Sequence, residues 1–465
     1  MSEPDQYTIL LLMYTDELEI SNPLGAARGK YKLNVKAALF CFCGDRLSLN
    51  HLGGFSGCFS SGRFCRFCLA STKQLPRLTT EQECVIRNLD AHKRHLSSIL
   101  MNGIISKRLY GVTGPSPLLK LERFDVTLQL PPDIMHDILE GSFEHVLRQV
   151  LVALIQKGSL KFDDLDKVTR FPYGFHDKKN RPEPIPKSFI DGNATLRGTA
   201  SQKWCLLRMF PLIFGDGVPP ENPDWEVLLL FLEIANLSFS AEIAVNFVAY
   251  LQIKIQEVLC KFVSRYPQAS LKPKLHFLVH CPRFIMQLGP LTQYWAMRFE
   301  AKHQVLKAVA SKIKNFRNIY GTLACRHQLR QCYELQSFAF DDDLSTSCAR
   351  AIEAEQVHEC ARQHFDTAVF SVKSASVNRC SYHIGDVIIL ERKDIPLFGQ
   401  IDTAYLSSSR VYCVVHMFQC DGFDRHKFCY SVRPNNEHKL VCEGEEAVNC
   451  SLDIYGNSVV PKWEL

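Results

Sequence analysis

Tyr31-Lys32-Leu33-Asn34-Val35-Lys36-Ala37-Ala38-Leu39-Phe40-Cys41-Phe42-Cys43-Gly44-Asp45 is an extended run, rich in Phe and Cys, that stops on a glycine and a carboxylate. The run reads as a strand. Upstream, residues 7–20 read as another strand. Tyr7, Ile9, Leu11 and Met13 alternate with other apolar residues, and the run ends at Asp16 and Glu17. Asn22-Pro23-Leu24-Gly25 supplies a turn between the two runs. Two apolar strands, each closed by an aspartate, start an α/β fold.

Further along, the Gly-rich stretch Leu52-Gly53-Gly54-Phe55-Ser56-Gly57 is followed by Thr80 and Glu83, a capping box predicted to open a helix towards Met101. Phe124–Leu130 alternates as a strand should, and Pro131-Pro132 stops it. From Asp133 to about Tyr266 the pattern is helical, with Ile134–Lys157, Ser201–Phe214 and two or three helices in Trp225–Tyr266. Tyr294–Asn315 is another amphipathic helix. Residues 341–377 read as a linker with some helix. Residues 378–465 are β-rich, with predicted strands at Gly385–Leu390, Phe398–Ala404, Val411–Phe418 and Phe428–Val432, and suit a small barrel.

The 465 residues allow roughly three domains of about 150 residues each. Apolar residues make up 46% and charged residues 22%, a globular composition. No uncharged apolar stretch reaches the ~18 residues of a membrane span. Glu3 and Asp5 stand where a secretory signal would be positive. Nineteen cysteines without an export signal point to a reduced nuclear or cytosolic protein that uses some thiols for metal and buries the rest. The net charge of +5 permits nucleic-acid binding without demonstrating it.

Four short features combine into one chemistry. Asp16 and Asp45 end strands, and Glu300 sits on a helix; two Asp and one Glu can hold two Mg²⁺ or Mn²⁺ ions that clamp the attacking and leaving oxygens of a phosphodiester. Cys65-x2-Cys68 and His276-x3-His280 offer the four ligands of a closed tetrahedral zinc site. The His pair is one helical turn apart, so both rings point to one side. The zinc ligands bracket a large helical insertion and stand near the two flanking acids.

In this order the chain resembles the DDE/RNase H-like cut-and-paste transposases, in particular the branch with CACTA-type elements and the core of the V(D)J recombinase. The resemblance covers about residues 7–335. Its phrases are Tyr14-Thr15-Asp16-Glu17, Asn22-Pro23-Leu24-Gly25, Gly44-Asp45, Cys65-Arg66-Phe67-Cys68, Pro132-Asp133-Ile134-Met135-His136-Asp137, Lys274-Leu275-His276-Phe277 and Arg298-Phe299-Glu300-Ala301-Lys302-His303. It implies an α/β RNase H-like core split by a helical insertion, followed by the C-terminal small β-barrel. It also implies Asp16, Asp45 and Glu300 as catalytic Mg²⁺ or Mn²⁺ ligands, structural zinc at Cys65, Cys68, His276 and His280, and DNA as partner. Homo-oligomers, as transposases form, and a nuclear (or else cytoplasmic) location go with it; a membrane or a small-molecule substrate does not.

The expected organisation is 1–132, the first part of the core; 133–275, the insertion; 276–340, the His pair and catalytic helix; 341–377, a linker; and 378–465, the barrel. In an RNase H-like sheet the first two acids lie on the first and fourth strands. Here Asp45 follows Asp16 by only 29 positions. A strand–helix module is therefore expected to be absent, and with it full catalysis. An end-reading DNA-binding domain is also missing ahead of Asp16, so the chain reads as a truncated or domesticated derivative. Retained phosphoryl transfer is the alternative, and an unrelated zinc hydrolase a remote one.

Other groups have plainer readings. His92-x2-His95 is a rival, local partner for the cysteines. Asp133, His136, Asp137 and Glu140 share a helix face, with Asp133 as N-cap. Between Trp295 and Arg330 stand eight Lys/Arg and one acid. Of these, Arg298, Lys302, Lys307, Lys312, Lys314 and Arg317 are expected to contact DNA phosphates. Trp204 and Trp225 read as core residues of the insertion.

Overall fold

Thr8–Thr15 and Lys36–Gly44 pair as a two-stranded parallel sheet, with Thr15 in register with Gly44. The computed structural model describes residues 8–15, 36–60, 62–313, 317–336, 344–365, 367–377, 380–393, 395–442 and 448–462; Asp16 and Lys314 lie outside them. The chain forms two units. One comprises Met1–Phe162, Pro186–Lys203 and Glu221–Cys325, and the other Asp163–Ile185, Trp204–Pro220 and Arg326–Leu465. The fold is mixed α/β.

In the first unit the end of the strand Lys36–Gly44, residues 41–44, is buried on both faces. Phe42 enters a core with Leu49, Phe55, Val112 and Leu130, whereas Cys41 and Cys43 pack with Tyr294. That two-sided burial explains an apolar run without polar alternation. Asp45 ends the strand and caps helix Arg46–Leu52, its Oδ1 accepting from the Ser48 backbone N at 2.7 Å. Two expectations fail nearby. The Thr80/Glu83 box forms, but around the short 3₁₀ turn Glu81–Glu83; the helix starts at Leu89, capped by Asn88. Phe124–Leu130 is a loop, because Asp125 accepts from the N and Oγ1 of Thr127 in a local turn. Its Gln129 instead serves the edge strand, donating to the Leu39 and Phe40 carbonyls while its own carbonyl accepts from Phe42 N.

Helices dominate the rest of this unit: Phe143–Gln156, Pro223–Phe239 and Val245–Arg265, with Ala296–Ile313 further on. Pro223–Phe239 is apolar all round and buried along nearly its whole length, Trp225 included, between the first and third of these. Its one buried carboxylate, Asp224, receives Arg265 at 2.8 and 2.9 Å, Tyr266 at 3.1 Å, and Lys157. The network thus joins all three helices.

The second unit contains the helical pieces Phe175–Lys178 and most of Ala200–Phe214, the latter as expected from the sequence. It also contains a nine-stranded sheet. The main path runs Val448–Leu452, Val387–Glu391, Leu397–Ser407, Arg410–Asp424, Cys429–Cys442, Ser458–Val459, Ile454–Tyr455. The expected barrel is not closed among the described residues. Its two end strands are consecutive in the chain with only Asp453 between them, and antiparallel pairing needs a turn of about two residues. Asp453 instead accepts from the N–H groups of His176 and Asp177. Residues 341–377, read as a linker, contribute strands: Arg350–Ile352 and Val369–Val372 join the large sheet, and Ser345–Ser347 and Ser374–Val377 a three-stranded one. No helix of the described residues is long and apolar enough to cross a membrane.

Burial pushes the Asp224 carboxyl up, but Arg265 and Lys157 outweigh it and hold the group at about 2, below the ordinary 3.8. A depressed folded-state value contributes stability above the ordinary pKa, and that contribution is lost as pH falls through the folded one. Asp224→Asn is expected to cost about 2–3 kcal/mol in urea unfolding at pH 7. The difference from wild type should shrink as pH drops from 5 towards 2; a pH-independent difference would remove the charge from the account.

Candidate metal centre

Cys65 and Cys68 sit on a tight turn fixed from outside. The Arg87 guanidinium donates through Nε to the carbonyls of Cys65 (3.0 Å) and Cys68 (3.2 Å). Cys68 bridges to Ile86, and Arg87 N donates to the Phe67 carbonyl at 2.9 Å. Within the turn, Phe67 N–H points at Cys65 Sγ at 3.4 Å. A donated N–H stabilises sulfur as thiolate. The two thiols therefore face one way before any partner arrives.

His276 lies in the short helix Pro273–Phe277, started by its proline, and His280 ends the 3₁₀ turn Leu278–His280. The tightening keeps both rings on one side, with their Nε2 atoms 3.4 Å apart. Cys68 Sγ lies 3.2 Å from His276 Nε2, and Cys65 Sγ 3.6 Å from His280 Nε2. All four ligand atoms fall within 4.8 Å of one another, and all four residues are fully buried.

These distances can be tested against an ion. Zinc bonds of about 2.3 Å to sulfur and about 2.05 Å to nitrogen, set tetrahedrally, put two nitrogens ~3.3 Å apart and a sulfur and a nitrogen ~3.6 Å apart. The observed spacings lie within about 0.4 Å of those values. The cluster could hold a metal such as zinc, with four protein ligands and no position left for water. An outer carboxylate completes it: Glu81 Oε1 is 2.6 Å from His280 Nδ1 and accepts Arg283 Nε at 2.8 Å. Such a carboxylate fixes the ring and its tautomer.

A metal bound here would displace protons from the cluster. Burial opposes a charged Cys65, yet the hydrogen bond from Cys68 and the adjacent His280 and His276 hold its thiol well below the ordinary range. Hydrogen bonding with Cys65 and Cys84, together with burial, holds Cys68 well above it. Burial disfavours a protonated His280, but Cys65 and Glu81 raise it to about 9. One thiolate against one imidazolium is the charge pattern that a dication would replace.

The rival histidines are elsewhere. His92 packs on Phe55 and His95 stacks on Tyr110, and among the described residues neither belongs to a ligand cluster. Glu81 and Arg87, which the sequence reading missed, have no spacing signal; each acts through atoms brought near only by the fold.

Of the three acids expected to hold catalytic ions, Asp16 lies outside the described residues. Asp45 is the helix cap described above. Glu300 is 3.5 Å from His136 Nε2, a nitrogen also 3.6 Å from Glu140. His136 Nδ1 is 2.5 Å from Asp133, whose Oδ1 accepts from Ala296 N at 3.0 Å. Asp133 therefore ties the start of the Glu300 helix to the π-helical turn Met135–Ser142. Lys274 donates to the His136 and Glu140 carbonyls, and lies so close over Gly141 that a Cβ there would meet its chain. Among the described residues Asp45 and Glu300 join no group of three or more ligands within 4.8 Å. Arg298, Lys302, Lys307 and Lys312 stand on helix Ala296–Ile313, with Arg317 just beyond it.

No protein-family model matches the chain, and no curated protein matches it either.

Cys68→Ser or His280→Ala is expected to abolish tight metal uptake at this centre. Glu81→Gln should weaken it about 10–100-fold in a chelator competition. Unchanged affinity in Glu81→Gln would separate the carboxylate from the ion.

Proposed function

We propose that this chain is a transposase-derived DNA-binding protein, stabilised by a structural zinc ion, whose DDE-type phosphoryl-transfer site is impaired. The observation that carries the reading is the Cys65/Cys68/His276/His280 cluster. Its members come from two segments more than two hundred residues apart, in the order and spacing of that family. The parallel pair agrees with it. A hairpin partner of the first strand would run antiparallel, whereas Lys36–Gly44 runs parallel, as the second acid-bearing strand of an RNase H-like core does.

The surroundings of two of the acids support impairment. Asp45 spends its carboxylate on a backbone N–H, and Glu300 faces His136. Burial disfavours charge on His136, but Asp133, Glu140 and Glu300 raise it to about 9, so a fixed positive charge stands among these carboxylates at neutral pH. An active strand-nicking enzyme, with Mg²⁺ or Mn²⁺ at Asp16, Asp45 and Glu300, is the alternative. A zinc hydrolase fits poorly, since a closed four-ligand site keeps no water.

DNA is the proposed partner, held on the basic helix Ala296–Ile313, in a nuclear protein that works as a homo-oligomer. Replacing Lys302, Lys307 and Lys312 together by Gln should weaken binding to duplexes of any sequence. It should also lower the slope of log affinity against log salt by about 2–3. An unchanged slope would place DNA elsewhere or nowhere. Mn²⁺-dependent nicking, compared with Glu300→Gln, separates the two readings: none in either protein supports impairment, and activity lost only in the variant supports the enzyme.

A further inference from the structure

The second unit carries a metal-ligand cluster that the transposase resemblance does not contain. His176, His383 and Asp386 place one ligand atom each within 4.8 Å of the others. His383 and Asp386 flank a tight turn. Gly385 has φ +94°, Asp386 N donates to the His383 carbonyl at 3.0 Å, and His383 N donates to Asp386 Oδ2 at 2.8 Å. A side chain at position 385 would be strained, so the turn holds its two flanking ligands in one arrangement. His176 arrives on Phe175–Lys178, whose first N–H groups are held by Asp453. Its Nε2 is 2.7 Å from Asp386 Oδ1, and His383 Nδ1 is 3.3 Å from Oδ2.

We propose that His176, His383 and Asp386 form a second, open site for a divalent transition-metal ion. Two imidazole nitrogens and one carboxylate oxygen suit zinc or a neighbouring first-row ion. An ion ~2.0–2.2 Å from each ligand needs them about 3.3 Å apart, so the His176–Asp386 pair opens by roughly half an ångström to admit it. Asp386 binds through Oδ1 while Oδ2 keeps the His383 backbone N–H, the outer hydrogen bond that orients a ligating carboxylate. Asp386 is 3% exposed, His176 16% and His383 32%. The carboxylate is thus anchored inside, and the imidazoles border solvent. Three protein ligands leave a coordination position for water, unlike the closed Cys2His2 cluster.

Cobalt(II) distinguishes the two centres, because only the thiolate site gives sulfur-to-metal charge-transfer absorption. Untagged full-length protein is titrated with Co²⁺ after its zinc has been exchanged. Wild type should take up two equivalents, with the charge-transfer band saturating at one. His383→Gln and Asp386→Asn should each bind one equivalent with that band unchanged, and an unchanged circular-dichroism spectrum and melting curve report that the second unit is still folded. His176→Gln, on a separate segment, should behave alike. A single equivalent in wild type, a second equivalent retained by these variants, or one taken up only at millimolar free metal would overturn the proposal.

Discussion

Two thiols and two imidazoles are buried together in one spot without solvent, and the first unit is arranged around that constraint. Ionised groups in such a place are costly unless paired and hydrogen-bonded. Here Arg87 holds the cysteine turn, Glu81 holds His280, and the nitrogen–nitrogen and two sulfur–nitrogen spacings lie near those of a tetrahedral ion. The constraint reaches along the chain. From His280 the chain runs through helix Cys281–Leu288 and the turn Leu291–Gln293 to Ala296, whose N–H meets Asp133. Lys274, two residues before His276, reaches the same Met135–Ser142 turn from the other side. The histidine segment therefore positions both the Glu300 helix and the His136 turn.

A metal there would do what the core does not do alone. Helices Phe143–Gln156, Pro223–Phe239 and Val245–Arg265 already pack as an apolar layer pinned by Asp224. The small parallel sheet has only two described strands, and isolated two-stranded sheets are marginal. An ion linking Cys65 and Cys68, which follow that sheet, to His276 and His280, which follow the helical layer, closes a very long loop in the unfolded chain. Ligation of this kind supplies folding free energy directly.

The Cys2His2 cluster was legible because short spacings encode it: two residues between cysteines, three between histidines. The helices were legible from apolar periodicity, as with Ala200–Phe214 and Ala296–Ile313. Phe124–Leu130 was not, because its alternation is real but Asp125 turns the backbone on itself and Gln129 spends its amide on a neighbouring strand. The barrel reading failed on connectivity. Alternation in the C-terminal strands shows which faces are buried, yet not that the end strands are joined by a single residue, Asp453. Glu81, Arg87 and the pairing of His176 with His383 and Asp386 had no sequence signal, since these partners lie well apart in the chain and only folding brings them together.

The central claim is that one ion couples the cysteine turn to the histidine segment. Hydrogen–deuterium exchange of the full chain, with and without a strong chelator, tests it most directly. The account expects amide protection around residues 63–70 and 274–286 to fall together on metal removal, with the Asp224 helices opening later. Loss of protection in one segment alone, or in neither, would contradict it.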